Sequence, residues 1–234
     1  MNRSVNSLIA FALMLILSHA ASARPNLERT EIDDLHPTQF AVGMRYVKNK
    51  IEQIDQMSKK ARQRFFRAHP IPAIRGYDGK LYMIDHHHLA RAVLESGHNH
   101  VYVVVIKDWS HDGLTKAEFW DRMKEKGFVY LRDENNQLQP VESLRESVGE
   151  LADDPYRALA GEVRDEGGFN KTKVPFTEFS WANYFRERVP RTLIEKNLKE
   201  AVRIGLQLAK EPFANTLPGY SGRVCEDVFA RRTR

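Results

Sequence analysis

The sequence has 234 residues, a hydrophobic fraction of 42% and a net charge of +5 at pH 7. This length suits one domain, or a domain with a helical extension, and is ample for a hydrophobic core. The mildly basic charge permits a polyanionic partner without requiring one. Cys225 is the single cysteine, which excludes an intrachain disulfide and fits a bacterial periplasm better than a eukaryotic extracellular space.

Residues 1–23 have the three parts of a cleavable secretory signal. Arg3 gives a positive start, Leu8 to Leu17 form an unbroken apolar run, and Ala21-Ser22-Ala23 supply the small residues that a signal peptidase reads. An uncleaved membrane anchor is the alternative, but the apolar run is short for a bilayer. We therefore expect an exported protein, periplasmic or secreted, whose mature chain starts at Arg24 and carries no transmembrane anchor.

A mixed α/β core is predicted after an extended linker at residues 24–35. Apolar spacing predicts helices over Val42 to Met57 and Ser58 to Ala68. Two short apolar runs flank Gly76-Tyr77-Asp78-Gly79 and predict a β-hairpin. A helix from Asp85 to Ser96, with Asp85 as its cap, and a buried strand at Val101 to Ile106 follow.

The second half of the sequence is predicted to be mostly helical. Thr115 to Glu118 has the pattern of a capping box, and Phe128 to Leu131 is predicted as one more strand. Asp154-Pro155 starts a helix that ends before Gly167-Gly168. Further helices are predicted from Thr177 and from Pro190 through Ala209. The fold class is thus α+β, with a core at residues 36–131 and a helical C-terminal region at residues 132–234 packed on it.

The histidines are concentrated in the predicted core. All eight that follow the signal lie between His36 and His111, and three are consecutive in Asp85-His86-His87-His88. This run lies where a strand passes into a helix N-terminus, a position that attracts phosphate or carboxylate groups. Imidazoles there can donate to an anion, exchange protons near neutral pH or bind a metal. An Asp that merely caps a helix, followed by exposed histidines, is the structural alternative.

The same stretch resembles the ParB/sulfiredoxin superfamily, and in particular its branch of ParB-like nucleases. The resembling residues are Leu35-His-Pro-Thr-Gln39, Val42-Gly43, Tyr82-Met-Ile-Asp85-His-His-His88-Leu-Ala-Arg-Ala92 and Glu118-Phe-Trp120, with Leu217-Pro-Gly-Tyr220 near the end. The resemblance implies a hairpin–helix–strand core in which this helix N-terminus holds phosphate groups. Leu89 stands where the superfamily usually has arginine, and the sulfiredoxin cysteine is absent, which excludes that reductase activity.

The candidate site follows from the run and from the resemblance together. Asp85 would orient a histidine or place a divalent metal, and His87 and His88 would act as acid–base groups or phosphate ligands. The further ligand-binding candidates are His86, Arg91, Gln39 and Lys48. Lys171 and Lys173, after Gly167-Gly168, could contact phosphate, although a plain interhelical turn is the simpler interpretation.

Three functions are compatible with these residues. The first is an exported phosphoester-acting enzyme, a metal-assisted nuclease or phosphodiesterase, whose partner would be nucleic acid, a nucleotide or a phosphorylated small molecule. The second is a nucleotide-dependent kinase of small molecules, and the third is a non-catalytic envelope protein that binds an anion. Export favours hydrolysis, because nucleoside triphosphates are scarce outside the cytoplasm.

Overall fold

The structure, a computed structural model, describes residues 26–222, so the predicted signal and Cys225 lie outside the described part. The strands are β1 (Leu27–Glu31), β2 (Leu35–Pro37), β3 (Ala41–Val42), β4 (Ile71–Arg75), β5 (Leu81–Met83), β6 (His100–Asp108) and β7 (Ala152–Asp153). The helices are α1 (Met44–Asp55), α2 (Lys59–Ala68), α3 (His87–Glu95), α4 (Lys116–Glu125), α5 (Pro155–Asp165), α6 (Thr177–Arg186), α7 (Arg191–Lys196) and α8 (Leu198–Leu208). Short 3-10 turns connect several of them. The fold is α+β.

Five strands form a mixed sheet in the order β1-β6-β4-β5-β2. The predicted hairpin is present: β4 and β5 pair antiparallel around the turn at Gly79, whose φ of 79° suits glycine. β6 runs parallel to β4 and is therefore antiparallel to β5. α3 connects β5 to β6, so its N-terminus lies just beyond the end of β5.

The C-terminal helices contact the core at several places, including a short strand pair, helix α1 and the Tyr130 ring, which stacks on Phe179. β3 and β7 form a parallel two-stranded pair that ties residues 41–42 to residues 152–153. α1 packs against α3 on one side and against α5 on the other, so the helical region lies beside the start of α3. The buried side chains accordingly form two clusters in the α/β part and a third, built around Trp181 and Phe185, in the helical part.

Three predictions about the secondary structure of these segments are wrong. Leu27–Glu31, predicted as linker, forms edge strand β1, paired antiparallel with β6. Phe128 to Leu131 is not a strand: Tyr130 donates one backbone hydrogen bond to Thr38 (2.9 Å), and no ladder follows. The helix predicted from Pro190 through Ala209 is two helices, because the Asn197 side chain accepts from the amide of Glu200 and starts α8 afresh.

The capping box predicted at Thr115 is confirmed, with both reciprocal hydrogen bonds between Thr115 and Glu118. Asp154 caps α5 as predicted, and its side chain accepts from the amide of Tyr156. No helix within residues 26–222 has both the length and the apolar character needed to cross a bilayer.

Candidate anion-binding site

The start of α3 differs from the predicted cap. The helix begins at His87, and its N-cap is His86, which adopts a left-handed conformation with φ 63° and ψ 23°. Asp85 is exposed and does not cap the helix; its Oδ1 accepts from the amide of His86 at 2.6 Å. A left-handed histidine is uncommon and is kept only where its surroundings hold it. Asp85 therefore holds the turn that puts His86 in this conformation.

His87 has a structural position. Its side chain is 4% exposed, and its Nε2 accepts a hydrogen bond from the amide of Thr38 at 3.2 Å. Burial and the nearby charge of Arg157 lower the pKa of His87 to about 3. A neutral imidazole whose free nitrogen already has a donor cannot take a proton from substrate, so the geometry gives no support to the acid–base role predicted for His87.

His88 also has a structural position. Its Nε2 accepts from the amide of Gly43 at 3.0 Å, and its ring meets Tyr46 edge to face. Burial and the charge of Arg157 hold the pKa of His88 well below its usual value. His88 does line the cavity described below, but as a neutral ring that fixes the start of α1 against α3.

The four predicted ligand-binding residues separate into two groups. His86 and Gln39 line the cavity, although the Gln39 amide already donates to the carbonyl of Ala41 at 2.7 Å. Arg91 does not line it: the guanidinium donates to the carbonyl of Leu151 at 2.9 Å and pairs with Glu95. Lys48 lies on an exposed face of α1 away from the cavity. The phosphate-binding roles predicted for Arg91 and Lys48 thus have no support in the geometry.

A cavity of about 690 Å³ opens where α3, α1, α5 and α6 meet. The predicted residues that line it are Gln39, Asp85, His86, His88, Lys171 and Lys173. Its other charged lining groups are Lys50, Arg157, Arg164 and Glu178; the His69 imidazole also lines it, and the rest of the wall is largely aromatic and aliphatic. Five lysine and arginine side chains against two carboxylates give this cavity an excess of positive charge. This volume suits a small ligand or one unit of a polymer.

Arg157 is the most unusual group in the cavity. It is 7% exposed, its Nε and Nη1 have no hydrogen-bond partner among the described residues, and its guanidinium lies 3.9 Å above the ring of Phe179. Burial lowers the pKa of this guanidinium, but an arginine stays charged in proteins. A buried charge without hydrogen bonds is costly, and buried polar groups nearly always have partners. We conclude that the position is suited to receive an anion.

Two neighbouring cations complete the positive wall. Arg164 pairs with Glu178 and donates to the hydroxyl of Tyr46 at 3.1 Å. Burial alone would raise the pKa of Glu178, but the charges of Arg157 and Arg164 outweigh it and lower that pKa. Lys50 lies 5.2 Å from the centre of the Tyr46 ring, and burial lowers the pKa of its amine.

The donor set of the cavity does not fit a metal ion held by the protein. No group of three or more His, Cys, Asp or Glu side chains within residues 26–222 is arranged to hold one. The two carboxylates of the cavity already have partners, since Glu178 pairs with Arg164 and Asp85 accepts from His86. The metal site predicted at Asp85 is therefore without supporting ligands.

Comparison with protein families identifies the fold. Residues 28–187 match the family described as "Putative ParB-like nuclease". The chain belongs to this ParB-like nuclease family. No curated protein matches it. Among solved structures it is similar to the protein Atu1540 from Agrobacterium tumefaciens, with 35% identity, coverage of 86% of this chain and 99% of that one, and a TM-score of 0.79.

Family membership supports nuclease chemistry and nucleic acid as a partner class, and it agrees with the resemblance seen in the sequence. The charged residues that sequence reasoning missed, Arg157, Arg164 and Glu178, all lie on α5 and α6. In the sequence they are ordinary polar positions of amphipathic helices. They come together at the cavity only in the folded chain, where α5 and α6 lie beside the start of α3. Lys171 and Lys173 are exposed and line the cavity.

Proposed function

We propose that this member of the ParB-like nuclease family hydrolyses phosphodiesters in the cavity at the start of α3. The observation that carries the proposal is the buried Arg157 guanidinium, whose Nε and Nη1 have no hydrogen-bond partner among the described residues. A guanidinium can bind two oxygens of one phosphate group, the geometry in which arginine binds phosphate best. Because the cavity has a volume of only about 690 Å³, the substrate is a small diester or a single-stranded segment.

Of the three consecutive histidines, His86 is the one available for proton transfer, since Nε2 of His87 and of His88 already accepts a backbone hydrogen bond. Its Nδ1 is buried and has no hydrogen-bond partner within residues 26–222, and burial lowers the pKa of the ring, which favours the neutral form. In the proposed reaction, water attacks phosphorus and gives its proton to Nδ1 of His86. The bond to the leaving oxygen breaks, and that oxygen takes a proton from Lys50. Arg157 stabilises the charge that develops on the phosphoryl oxygens.

The test is hydrolysis of bis(p-nitrophenyl) phosphate and of single-stranded oligonucleotides by the purified protein, with Mg²⁺, with Mn²⁺ and with EDTA. We expect turnover that Arg157→Gln removes. The measurement with EDTA tests the metal assistance that the sequence suggested. Anion binding depends on lysine and arginine side chains and should survive chelation. Loss of turnover with retained anion binding would therefore mean that a metal acts on the substrate phosphate. Phosphate binding without any turnover would favour the non-catalytic alternative.

We also propose that the protein works outside the cytoplasm, after cleavage between Ala23 and Arg24. The short apolar run and the small residues before the cut support this, as does the fact that Arg24 precedes strand β1 by only a few residues. N-terminal sequencing of protein recovered from the periplasm or the medium should give Arg24. Intact Met1 in a membrane fraction would contradict export and release.

A further inference from the structure

The start of α6 forms a second wall of the same cavity. Four consecutive residues, Phe176 to Phe179, line it. The N-cap is Phe176, which is left-handed with φ 58° and supplies no side-chain hydrogen bond to the helix. The first amides of a helix have no intrahelical partner, and the helix dipole makes this end positive.

Two features of α6 parallel those of α3. Within residues 26–222, three residues other than glycine have positive φ, and two of them, His86 and Phe176, are the N-caps of these two helices. Arg157 lies near both helix ends: it stacks on Phe179 in α6, and it lines the same cavity as His86 and His88 at the start of α3. The cavity thus has two positive ends and a buried guanidinium near both.

An anion of the protein itself already lies at the α6 end. Glu178, in the first turn of the helix, forms an ion pair with Arg164, and the charge of Arg157 also acts on it. A carboxylate in this position is a stand-in for an anionic ligand group. At the α3 end, by contrast, Asp85 is exposed and bonds back to its own turn.

We propose that the cavity binds ligands with two phosphate groups, one at the start of α3 and one at the start of α6, where the second phosphate displaces Glu178 from Arg164. Lys171, on the exposed segment beside this end, would bind the incoming group. This inference rests on the proposed function, and it narrows the substrate to compounds with two phosphates, such as diphosphates or successive phosphates of a polynucleotide.

The test is Glu178→Gln, which removes the competing charge at constant size. Binding of inorganic phosphate, pyrophosphate and thymidine 3′,5′-bisphosphate is measured by calorimetry. We expect at least about tenfold tighter binding of one or both two-phosphate probes, from removal of a like charge a few ångströms away in a partly buried site. Inorganic phosphate should bind with less than about twofold change, because it takes the α3 end. The probe that tightens shows whether the two phosphates are adjacent or spaced.

Glu187→Gln is the matched control, because it removes the same charge at the other end of α6, where Glu187 is exposed and pairs with Arg188. It should change no affinity. If Glu178→Gln fails to fold, Lys171→Gln should weaken the two-phosphate probes about fivefold or more and leave inorganic phosphate unchanged. If Glu178→Gln binds all three probes more tightly to the same extent, or none of them more tightly, the proposed second phosphate site is wrong. Hydrolysis of bis(p-nitrophenyl) phosphate by the unaltered protein is scored separately, so the proposed reaction and the subsite can fail independently.

Discussion

The starts of α3 and α6 face one cavity, and each begins at a left-handed residue that gives the helix no side-chain cap. Helices α2, α4, α5 and α8, in contrast, begin with a side chain that accepts from an early amide. At α6 the protein fills the position with Glu178, whereas at α3 Asp85 turns away to its own loop. The comparison separates a helix end that carries an internal counter-ion from one that is open to a ligand.

The three histidines at α3 sharpen this comparison, because His86 alone is predicted to act in catalysis. His86→Ala should lower turnover by about 10²–10⁴-fold, the usual cost of losing a general base. His87→Ala should instead destabilise the fold by about 2–4 kcal/mol, since it opens a buried cavity and leaves the Thr38 amide without its acceptor. Activity and urea unfolding measured on both variants decide the assignment; a catalytic loss in His87→Ala at unchanged stability would reverse it.

Arg157→Met tests whether the guanidinium near the two helix ends serves function at the expense of stability. Turnover and phosphate binding should fall by about 10²–10³-fold, because the charge that holds the anion is gone. The free energy of unfolding should stay equal or rise by about 1–3 kcal/mol, since an apolar side chain of similar size replaces a buried group without hydrogen bonds. Arg91→Met is the control, as Arg91 donates to backbone carbonyls outside the cavity, and it should lose stability and keep turnover. A large loss of stability in Arg157→Met would make Arg157 structural.

Much of the fold could be predicted from local patterns, whereas the site could be predicted only in part. The hairpin at Gly79 and the caps at Thr115 and Asp154 depend on residues close in sequence, and they are confirmed. β1 was missed because Leu27–Glu31 carries charged side chains and gains its strand geometry from β6, some 70 residues away. The run at Asp85 located the cavity, but it could not show which imidazole is free, because the amides of Thr38 and Gly43 decide that.

Acid should destabilise the protein through His87, whose folded pKa of about 3 lies below its unfolded value near 6.5. Between these two values the unfolded chain binds the proton and the folded chain does not. The stability from the neutral ring is therefore complete above about pH 6.5 and is lost as the pH falls toward 3, at about 1.4 kcal/mol per unit. Urea unfolding at pH 8, 6 and 5 measures the slope. His87→Gln keeps an acceptor for Thr38 and should lower the slope by about 1.4 kcal/mol per unit, leaving the part that the buried His88 contributes.

The smallest expected effect concerns the left-handed caps themselves. A residue other than glycine at positive φ costs about 1 kcal/mol, so His86→Gly should be more stable than His86→Ala by about that amount. Asn136, with φ 64°, lies in a half-buried turn outside the cavity and is the control. Asparagine tolerates positive φ better than most residues. The stability gained by Asn136→Gly over the parent should therefore be smaller than the stability difference between His86→Gly and His86→Ala. Thermal unfolding of the four proteins, including the parent, measures both values. Equal stabilities for His86→Gly and His86→Ala would mean that the turn relaxes once the imidazole is gone. The left-handed conformation would then be a consequence of the His86 side chain itself rather than a strain imposed by the hydrogen bond from the His86 amide to Asp85 and by the packing around it.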